Sequence, residues 1–354
     1  MIDQLTIPVK QAAKSRIAEV DFNNIQFGKN FADHMFIVNY ASGQWQNPQI
    51  VPYANLSLSP ALSSLHYGQA LFEGLKAYKN EAGEILVFRP DANAQRLNAS
   101  AKRLCMPELP EELFLNGLLQ LLSVDRDWVP TKSGYSLYIR PVMFATDDYI
   151  GVKPSDTYTF IIFTSPVGAY YSKPVKVKVE THYTRAAPGG MGFAKAAGNY
   201  AASLYPAQLA LQEGYDQLLW TDGREHKYFE ESGTMNVVFV INGKIITPAT
   251  SDSILKGITR DSVLKLARDW GIPVEERPVL VEEVITAAKN GTLNEAFGVG
   301  TAATIAPIAV IAHEGTEYTL PDVATRELSN RLKQTLDDIK MGNAPDTHKW
   351  VFKV

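Results

Sequence analysis

Lys195 sits in unusual company. The stretch "GGMGFAKAAGNYAA", residues 189–202, surrounds it with glycine and alanine, so little side-chain bulk shields its amine. Backbone or a ligand can come close there. A phosphate-binding P-loop needs Gly-Lys followed by Ser or Thr, whereas here the order is Ala194-Lys195-Ala196. A dinucleotide fingerprint starting at Gly190 would need glycine at position 195. Two readings remain, a solvated lysine in a glycine-rich loop and an amine that condenses with a carbonyl as a Schiff base. The second requires a partly neutral amine, which desolvation among small apolar neighbours promotes.

If that carbonyl belongs to pyridoxal phosphate, three accessories are required: a carboxylate for the pyridine nitrogen, donors for the phosphate, and support for the ring. "FEESGTMN" (229–236) places Glu230 and Glu231 just before an expected strand. "LKGITRDSVLKLARDW" (255–270) opens a helix after Gly257, with free backbone N–H groups that suit an anion. "GVGTAATIAP" (298–307) offers a second Gly-Thr turn. Each has a plainer reading, since a glutamate pair is usually a solvated face and a glycine before a helix is usually a cap.

These groups must be positioned by a chain of 354 residues, long enough for about two domains. In the first half, 75–90 reads as a hairpin turning at Asn80-Glu81-Ala82-Gly83. Helices are expected at 90–104 and about 111–129, and strands at 134–145 and 157–165. Consecutive strands without long crossovers imply antiparallel pairing and an α+β class. The boundary is placed at the Pro-, Gly- and Tyr-rich 166–174, giving a smaller N-terminal domain, 1–172, and a larger C-terminal one, 173–354. The second half carries a strand at 175–180, a helix at about 200–213 and a strand at 215–222. A hairpin at 234–248 has Asn242-Gly243 at its tip, and helices follow at about 259–270, 280–289 and 322–340.

A hydrophobic share of 45% and a charged share of 20% describe an ordinary globular composition. The formal net charge of −4 leaves no basic footprint for nucleic acid. No apolar run is long enough to span a bilayer, and the first twenty residues lack a signal-peptide core. Cys105 is the sole cysteine, which excludes an intrachain disulfide and fits a reducing cytoplasm. The six histidines form no ligand-spaced pair, so no metal site is expected.

Eight stretches occur in the order and spacing of one family: "SSLHYGQALFEGLKAY", "VFRPDANAQRL", "SLYIRPV", "SPVGAYY", "KAAGNYAAS", "EESGTMNVVF", "GITRDSVLKLA" and "FGVGTAATIAPI". In these the chain resembles the branched-chain amino acid aminotransferases, pyridoxal-phosphate enzymes of fold type IV, from about Phe22 to Val354. The resemblance implies a two-domain fold whose larger domain has a β-barrel-like core. It also implies reversible transfer of the amino group of leucine, isoleucine or valine to 2-oxoglutarate in branched-chain amino-acid biosynthesis. D-amino acid aminotransferases and aminodeoxychorismate lyases share the fold and are the alternative.

By motif position, Lys195 resembles the catalytic Schiff-base lysine that later acts as general base. Tyr200 resembles the partner of the cofactor's phenolic oxygen, and Glu231, rather than Glu230, the partner of the pyridine nitrogen. Arg89, Arg185, Ile258, Thr259 and Thr301 are the remaining expected cofactor contacts. The substrate side corresponds to Phe27, Tyr67, Phe72, Tyr138, Arg140, Tyr170, Thr234 and Ala302. Arg140 is the odd charge beside an aromatic slot, and the family uses it for the distal carboxylate of glutamate, which a planar guanidinium fork suits. The resemblance further implies a homodimer or higher assembly, in which Ile150 and Val152 reach the neighbour's substrate site. Some members carry a Cys-x-x-Cys after the Gly-Thr turn; Ala303 and Ala306 stand there, so no thiol switch is expected at that place.

Overall fold

The computed structural model of the protein describes residues 6–168 and 173–354. It divides into two compact units. The first comprises the described residues up to 168 together with Ala194–Gly198 and Asp338–Val354, and the second holds 173–193 and 199–337. A single boundary near 172 therefore does not capture the division, because the lysine segment and the C-terminal residues belong with the first unit.

The first unit is built on an antiparallel sheet. Its order is Val351–Lys353, Ile85–Phe88, Leu75–Lys79, Ser136–Ala145, Tyr158–Val167, His34–Ala41 and Gln44–Pro52. The helices Pro90–Arg103 and Glu111–Val124 supply Leu97, Ala101, Phe114, Leu118 and Leu121 to its core, packed with Phe36, Leu137, Ile139 and Phe160 from the sheet. The expected hairpin, both helices and both long strands of this half are present. Pro90 at the start of its helix removes no intrahelical hydrogen bond, as the first-turn N–H would be orphaned anyway.

One irregularity of this sheet prepares the site. The strand Ser136–Ala145 pairs with Leu75–Lys79 along 137–139 and with the short strand Ala70–Phe72 along 142–144. Between them, at Glu73-Gly74, the ladder breaks. The Glu73 N–H still donates to Pro141 O at 2.8 Å. In an antiparallel pair the N–H and C=O of one residue face the same neighbour, so the donor that Pro141 lacks points at this break. Glycine is needed at 74 because a Cβ there would lie 2.2 Å from the Tyr138 hydroxyl.

The second unit is a mixed sheet whose central six strands close on themselves. Met235–Ile241, Leu293–Gly300, Thr304–His313, Val175–Val179, Gln217–Thr221 and Tyr228–Ser232 pair in that circuit, and Tyr228–Ser232 returns to Met235–Ile241. This is the barrel that the resemblance implied. Val175–Val179 runs parallel to both of its neighbours, so pairing here is not purely antiparallel. The interior is filled by Val177, Leu219, Phe229, Val237, Phe239 and Ile308. Glu230 and Glu231 lie within a barrel strand rather than just before one.

Candidate functional site

In the first unit, Lys195 is held on two sides. The Phe72 N–H donates to Lys195 O at 3.1 Å, Leu71 and Ala196 form an isolated antiparallel bridge, and the Lys195 N–H donates to Ser100 Oγ at 2.9 Å. A strand end and the helix Pro90–Arg103 thus fix its backbone. Ala194 and Ala196 are buried on either side, while Lys195 itself is half-buried. The solvated-loop reading does not describe such a residue.

The ammonium of Lys195 stands 4.9 Å from the Phe72 ring centroid, and Arg140 Cζ stands 4.5 Å from the same ring. Arg140 Nη2 donates to the Tyr138 hydroxyl at 3.1 Å, and the Tyr138 ring meets Phe27 edge-on, centroids 5.1 Å apart. Five expected site residues, Lys195, Phe72, Arg140, Tyr138 and Phe27, therefore form one continuous chain of contacts. Arg140 Nε is buried without a hydrogen-bond partner, and no carboxylate pairs with Arg140 among the described residues. A guanidinium in that state is suited to an incoming carboxylate.

Tyr67 and the loop 147–156 meet elsewhere on this unit. The Tyr67 hydroxyl donates to Ile150 O, and Asp147 anchors the base of the loop by accepting from the N–H groups of Asp156 and Thr157 at 2.8 and 2.9 Å. Burial is the largest single influence and raises the Asp147 pKa, but the N–H groups of Asp156 and Thr157 and the hydroxyls of Thr157 and Ser155 together hold it below the usual aspartate range. Ile150 and Val152 remain 63% and 85% exposed at the tip, so the loop does not fold back to cover them. Arg89 lies at the N-cap of the helix Pro90–Arg103 with φ +52°, its guanidinium carbon 5.4 Å from the Trp350 ring. Tyr170 lies outside the described residues.

In the second unit, the tight turn after Tyr228–Ser232 sets Glu231 opposite Asn236. Glu231 Oε1 accepts from the Leu255 N–H at 2.7 Å and from Asn236 Nδ2 at 3.5 Å, and Oε2 lies 3.3 Å from Arg185 Nε. Glu230 is buried as well and accepts from the Ser253 hydroxyl. Burial pushes the Glu230 carboxyl up, and the neighbouring Glu231 adds to that, against the opposing influence of Ser253 and Arg185. Neither glutamate is on a solvated face, and successive strand residues point to opposite sides.

Asn236 Nδ2 also donates to Leu255 O at 2.9 Å, which ties this strand to the start of the helix Ile258–Asp269. Gly257 is the N-cap there and brings no side chain of its own to cap the first turn. A Cβ at Gly257 would lie 1.9 Å from Asn236 Oδ1, so the tight approach requires glycine. Ile258 and Thr259 carry first-turn amides at the positive end of the helix, where anions are favoured. Thr301 and Ala302 occupy the turn between Leu293–Gly300 and Thr304–His313, Thr234 is exposed in the turn before Met235, and Tyr200 lies half-buried in the helix Ala197–Gln212.

Sequence reasoning passed over Glu73, Asn93 and Arg96. Glu73 is fully buried; Arg96 Nε and Nη2 donate to its two oxygens at 2.8 and 2.7 Å, and Asn93 Nδ2 donates at 2.8 Å. The available signal was faint, two polar residues three apart in a helix that carries many others, together with the glutamate of "FEGLKAY".

The model for the class IV amino-transferases matches residues 70–311. The branched-chain-amino-acid transaminase 1 of Bacillus subtilis is 49% identical over 339 residues, covering 94% of this chain and 95% of that one. Among solved structures, the branched-chain aminotransferase of the archaeon Thermoproteus uzoniensis with norvaline superposes with a TM-score of 0.75 at 28% identity, covering 90% of this chain and 99% of the other. The branched-chain amino acid aminotransferase of Thermobaculum terrenum in its PLP-bound holo-form gives 0.71 at 25% identity, covering 90% and 97%. A family match over more than half of the chain and near one-half identity along almost its whole length leave one assignment: the chain belongs to the class IV aminotransferases, and among them to the branched-chain-amino-acid aminotransferases.

Proposed function

We propose that the protein transfers the amino group of leucine, isoleucine or valine reversibly to 2-oxoglutarate, giving glutamate and the branched-chain 2-oxo acid, with pyridoxal 5'-phosphate as cofactor. The observation that carries this reading is the run Lys195, Phe72, Arg140, Tyr138 and Phe27, which joins an amine, a guanidinium without a carboxylate and three aromatic rings. Nothing comparable supports a D-amino acid aminotransferase or a lyase, and the close relative carries the branched-chain name.

The residues present fit the cofactor. The helix start at Gly257 suits its phosphate, and the pinned Glu231 carboxylate suits a protonated ring nitrogen. Ile258, Thr259 and Thr301 would bind the phosphate, with Arg89 assigned to it by motif position. Tyr200 would bind the phenolic oxygen. Arg185, beside Glu231 Oε2, would hold that carboxylate in place. When bound, pyridoxal phosphate supplies a ring that takes up the negative charge left by the departing α-proton.

The chain's own groups do the rest. The Lys195 amine removes the proton from the substrate α-carbon and later returns it, a task for which a positioned base contributes about 10²–10⁴-fold. Glu231 keeps a proton on the ring nitrogen. Phe27, Tyr67, Phe72, Tyr138, Tyr170, Thr234 and Ala302 are assigned to the aliphatic side chain by motif position; one methylene changes binding by only about 1–3 kcal/mol, so three branched substrates would be accepted together. Arg140 takes the distal carboxylate of glutamate or 2-oxoglutarate in the other half-reaction.

We assign a homodimer as the minimal assembly, with Ile150 and Val152 completing the partner's substrate site. Their exposure on a braced loop supports this. A reducing, cytoplasmic compartment accords with the single cysteine. Among the described residues no helix is long and apolar enough to cross a membrane. The direct test is borohydride reduction of the purified yellow protein followed by peptide mapping, with loss of the yellow colour on adding leucine to a separate, unreduced sample. Cofactor fixed on Lys195 supports the reading; cofactor fixed on another lysine overturns it. For the shared site, Lys195→Ala chains mixed with Ile150→Asp chains should regain activity, and no gain despite confirmed subunit exchange would refute it.

A further inference from the structure

Gly74 sits at the break in the first sheet, and the side chain it lacks would have a particular neighbour. A Cβ there would lie 2.2 Å from the Tyr138 hydroxyl oxygen and 3.0 Å from Tyr138 Cζ. The backbone at 74 is not left-handed, so a side chain is excluded by contact and not by conformation. Nor can the peptide easily back away. The Gly74 N–H donates to Glu73 Oε2 at 3.2 Å, and Asn93 Nδ2 donates to Gly74 O at 3.5 Å and to Glu73 Oε2 at 2.8 Å. Arg96 closes on the same fully buried carboxylate at 2.8 and 2.7 Å. A buried ion pair is costly to disturb, so a group added at 74 displaces the Tyr138 side chain instead.

Tyr138 and Arg140 stand two apart on the strand Ser136–Ala145 and so share one side of the sheet. Arg140 Nη2 donates to the Tyr138 hydroxyl at 3.1 Å, the one hydrogen bond that this guanidinium makes among the described residues. We infer that Gly74 is a positioning residue for Arg140: the space it leaves seats the Tyr138 hydroxyl, and the hydroxyl aims the fork that takes a distal carboxylate. Gly74 thereby sets the preference for a dicarboxylic 2-oxo acid over a branched aliphatic one without touching either. The inference rests on reading Arg140 as the distal-carboxylate group. It also gives the buried cluster a task, since Glu73 and Asn93 hold the Gly74 peptide by its N–H and its C=O, and Arg96 holds Glu73.

The readout is a ratio, kcat/KM for 2-oxoglutarate over kcat/KM for the 2-oxo acid of leucine, each as amino acceptor for the holoenzyme with isoleucine as donor. A merely loosened fold lowers both values and leaves the ratio alone. Gly74→Ala should lower the ratio about tenfold, the worth of one hydrogen bond to a charged group. Tyr138→Phe should lower it by a similar factor. The double variant Gly74→Ala/Tyr138→Phe should be no worse than Tyr138→Phe, because the hydroxyl that a Cβ would strike is gone. If Gly74→Ala does not fold, a double variant that folds supports the inference and one that does not overturns it. An unchanged ratio in Gly74→Ala, or a double variant about tenfold below Tyr138→Phe, also overturns it. Arg140→Ala separates this failure from that of the underlying reading. A lowered ratio there with an unchanged one in Gly74→Ala removes the role of Gly74 alone, whereas an unchanged ratio in Arg140→Ala removes the reading of Arg140.

Discussion

Glu73 in the first unit and Glu230 in the second are both buried carboxylates, yet burial ends differently for them. Glu73 is closed by a two-bond guanidinium, an amide, a backbone N–H and the charge of an amine, and its pKa falls below the ordinary value. Glu230 has one serine hydroxyl, shares Arg185 with Glu231, and leaves Oε2 without a hydrogen-bond partner; its pKa rises. Desolvation is the leading influence in both. What differs is the number of donors within reach, and that decides the direction of each shift. In the second unit the donors gather on Glu231, which a backbone N–H and Asn236 hold.

The comparison can be broken most severely at Lys195. Lys195→Ala should lower turnover by at least the ~10²–10⁴-fold of a lost acid–base group, with the midpoint of thermal unfolding little changed, as its flanking alanines carry the packing. Near-normal steady-state turnover would remove the amine from the chemistry. Next in size, Glu231→Gln should slow proton abstraction by about 10²-fold, a loss of ~2.7 kcal/mol, while Glu230→Gln should stay within about threefold. Single-turnover rates with deuterated leucine check this, and the opposite ranking would invert the division of labour between the two glutamates.

Arg140→Ala should raise KM for 2-oxoglutarate by about 10–100-fold, the worth of a charge-assisted hydrogen bond, and KM for leucine far less. Equal losses would refute its role with the distal carboxylate.

The smallest effects lie in stability against pH, and their signs oppose. Glu73 has a depressed folded pKa, so its contribution is present above the unfolded value of about 4.3 and is lost as pH falls through the folded value. Glu73→Gln should therefore flatten the acid limb of the denaturant midpoint. Glu230 has a raised folded pKa, so its contribution is complete below about 4.3 and is lost as pH rises through the folded value. Glu230→Gln should raise stability near neutrality and leave the acid limb steep. A shift of the same sign in both variants would dissolve the distinction.

Much of this was legible locally. Strands were expected where Ser136–Ala145 and Tyr158–Val167 lie, Asn242-Gly243 marked a hairpin that is present, and small neighbours singled out Lys195. The strands His34–Ala41, Gln44–Pro52, Leu293–Gly300 and Thr304–His313 were not marked. In the last pair the Gly-Thr turn drew attention away from its flanks. Barrel closure depends on Glu231 facing Asn236 and Ser232 facing Met235 across a tight turn, and no local period announces a ring. The Glu73 cluster was illegible for a similar reason, since its partners lie twenty and more positions along the chain and only burial makes them necessary.

The C-terminal strand has a consequence in time. Val351–Lys353 covers the outer edge of Ile85–Phe88, and Trp350 accepts the Arg89 N–H at 2.7 Å through its carbonyl. A ribosome delivers Ile85 long before Val351, with the whole barrel sequence emerging between them. Throughout that interval the nascent first sheet has an open edge of the kind that recruits stray strands. Its completion therefore waits until Val351–Lys353 has emerged, and the barrel, contiguous but for the lysine segment, is the part that can mature first.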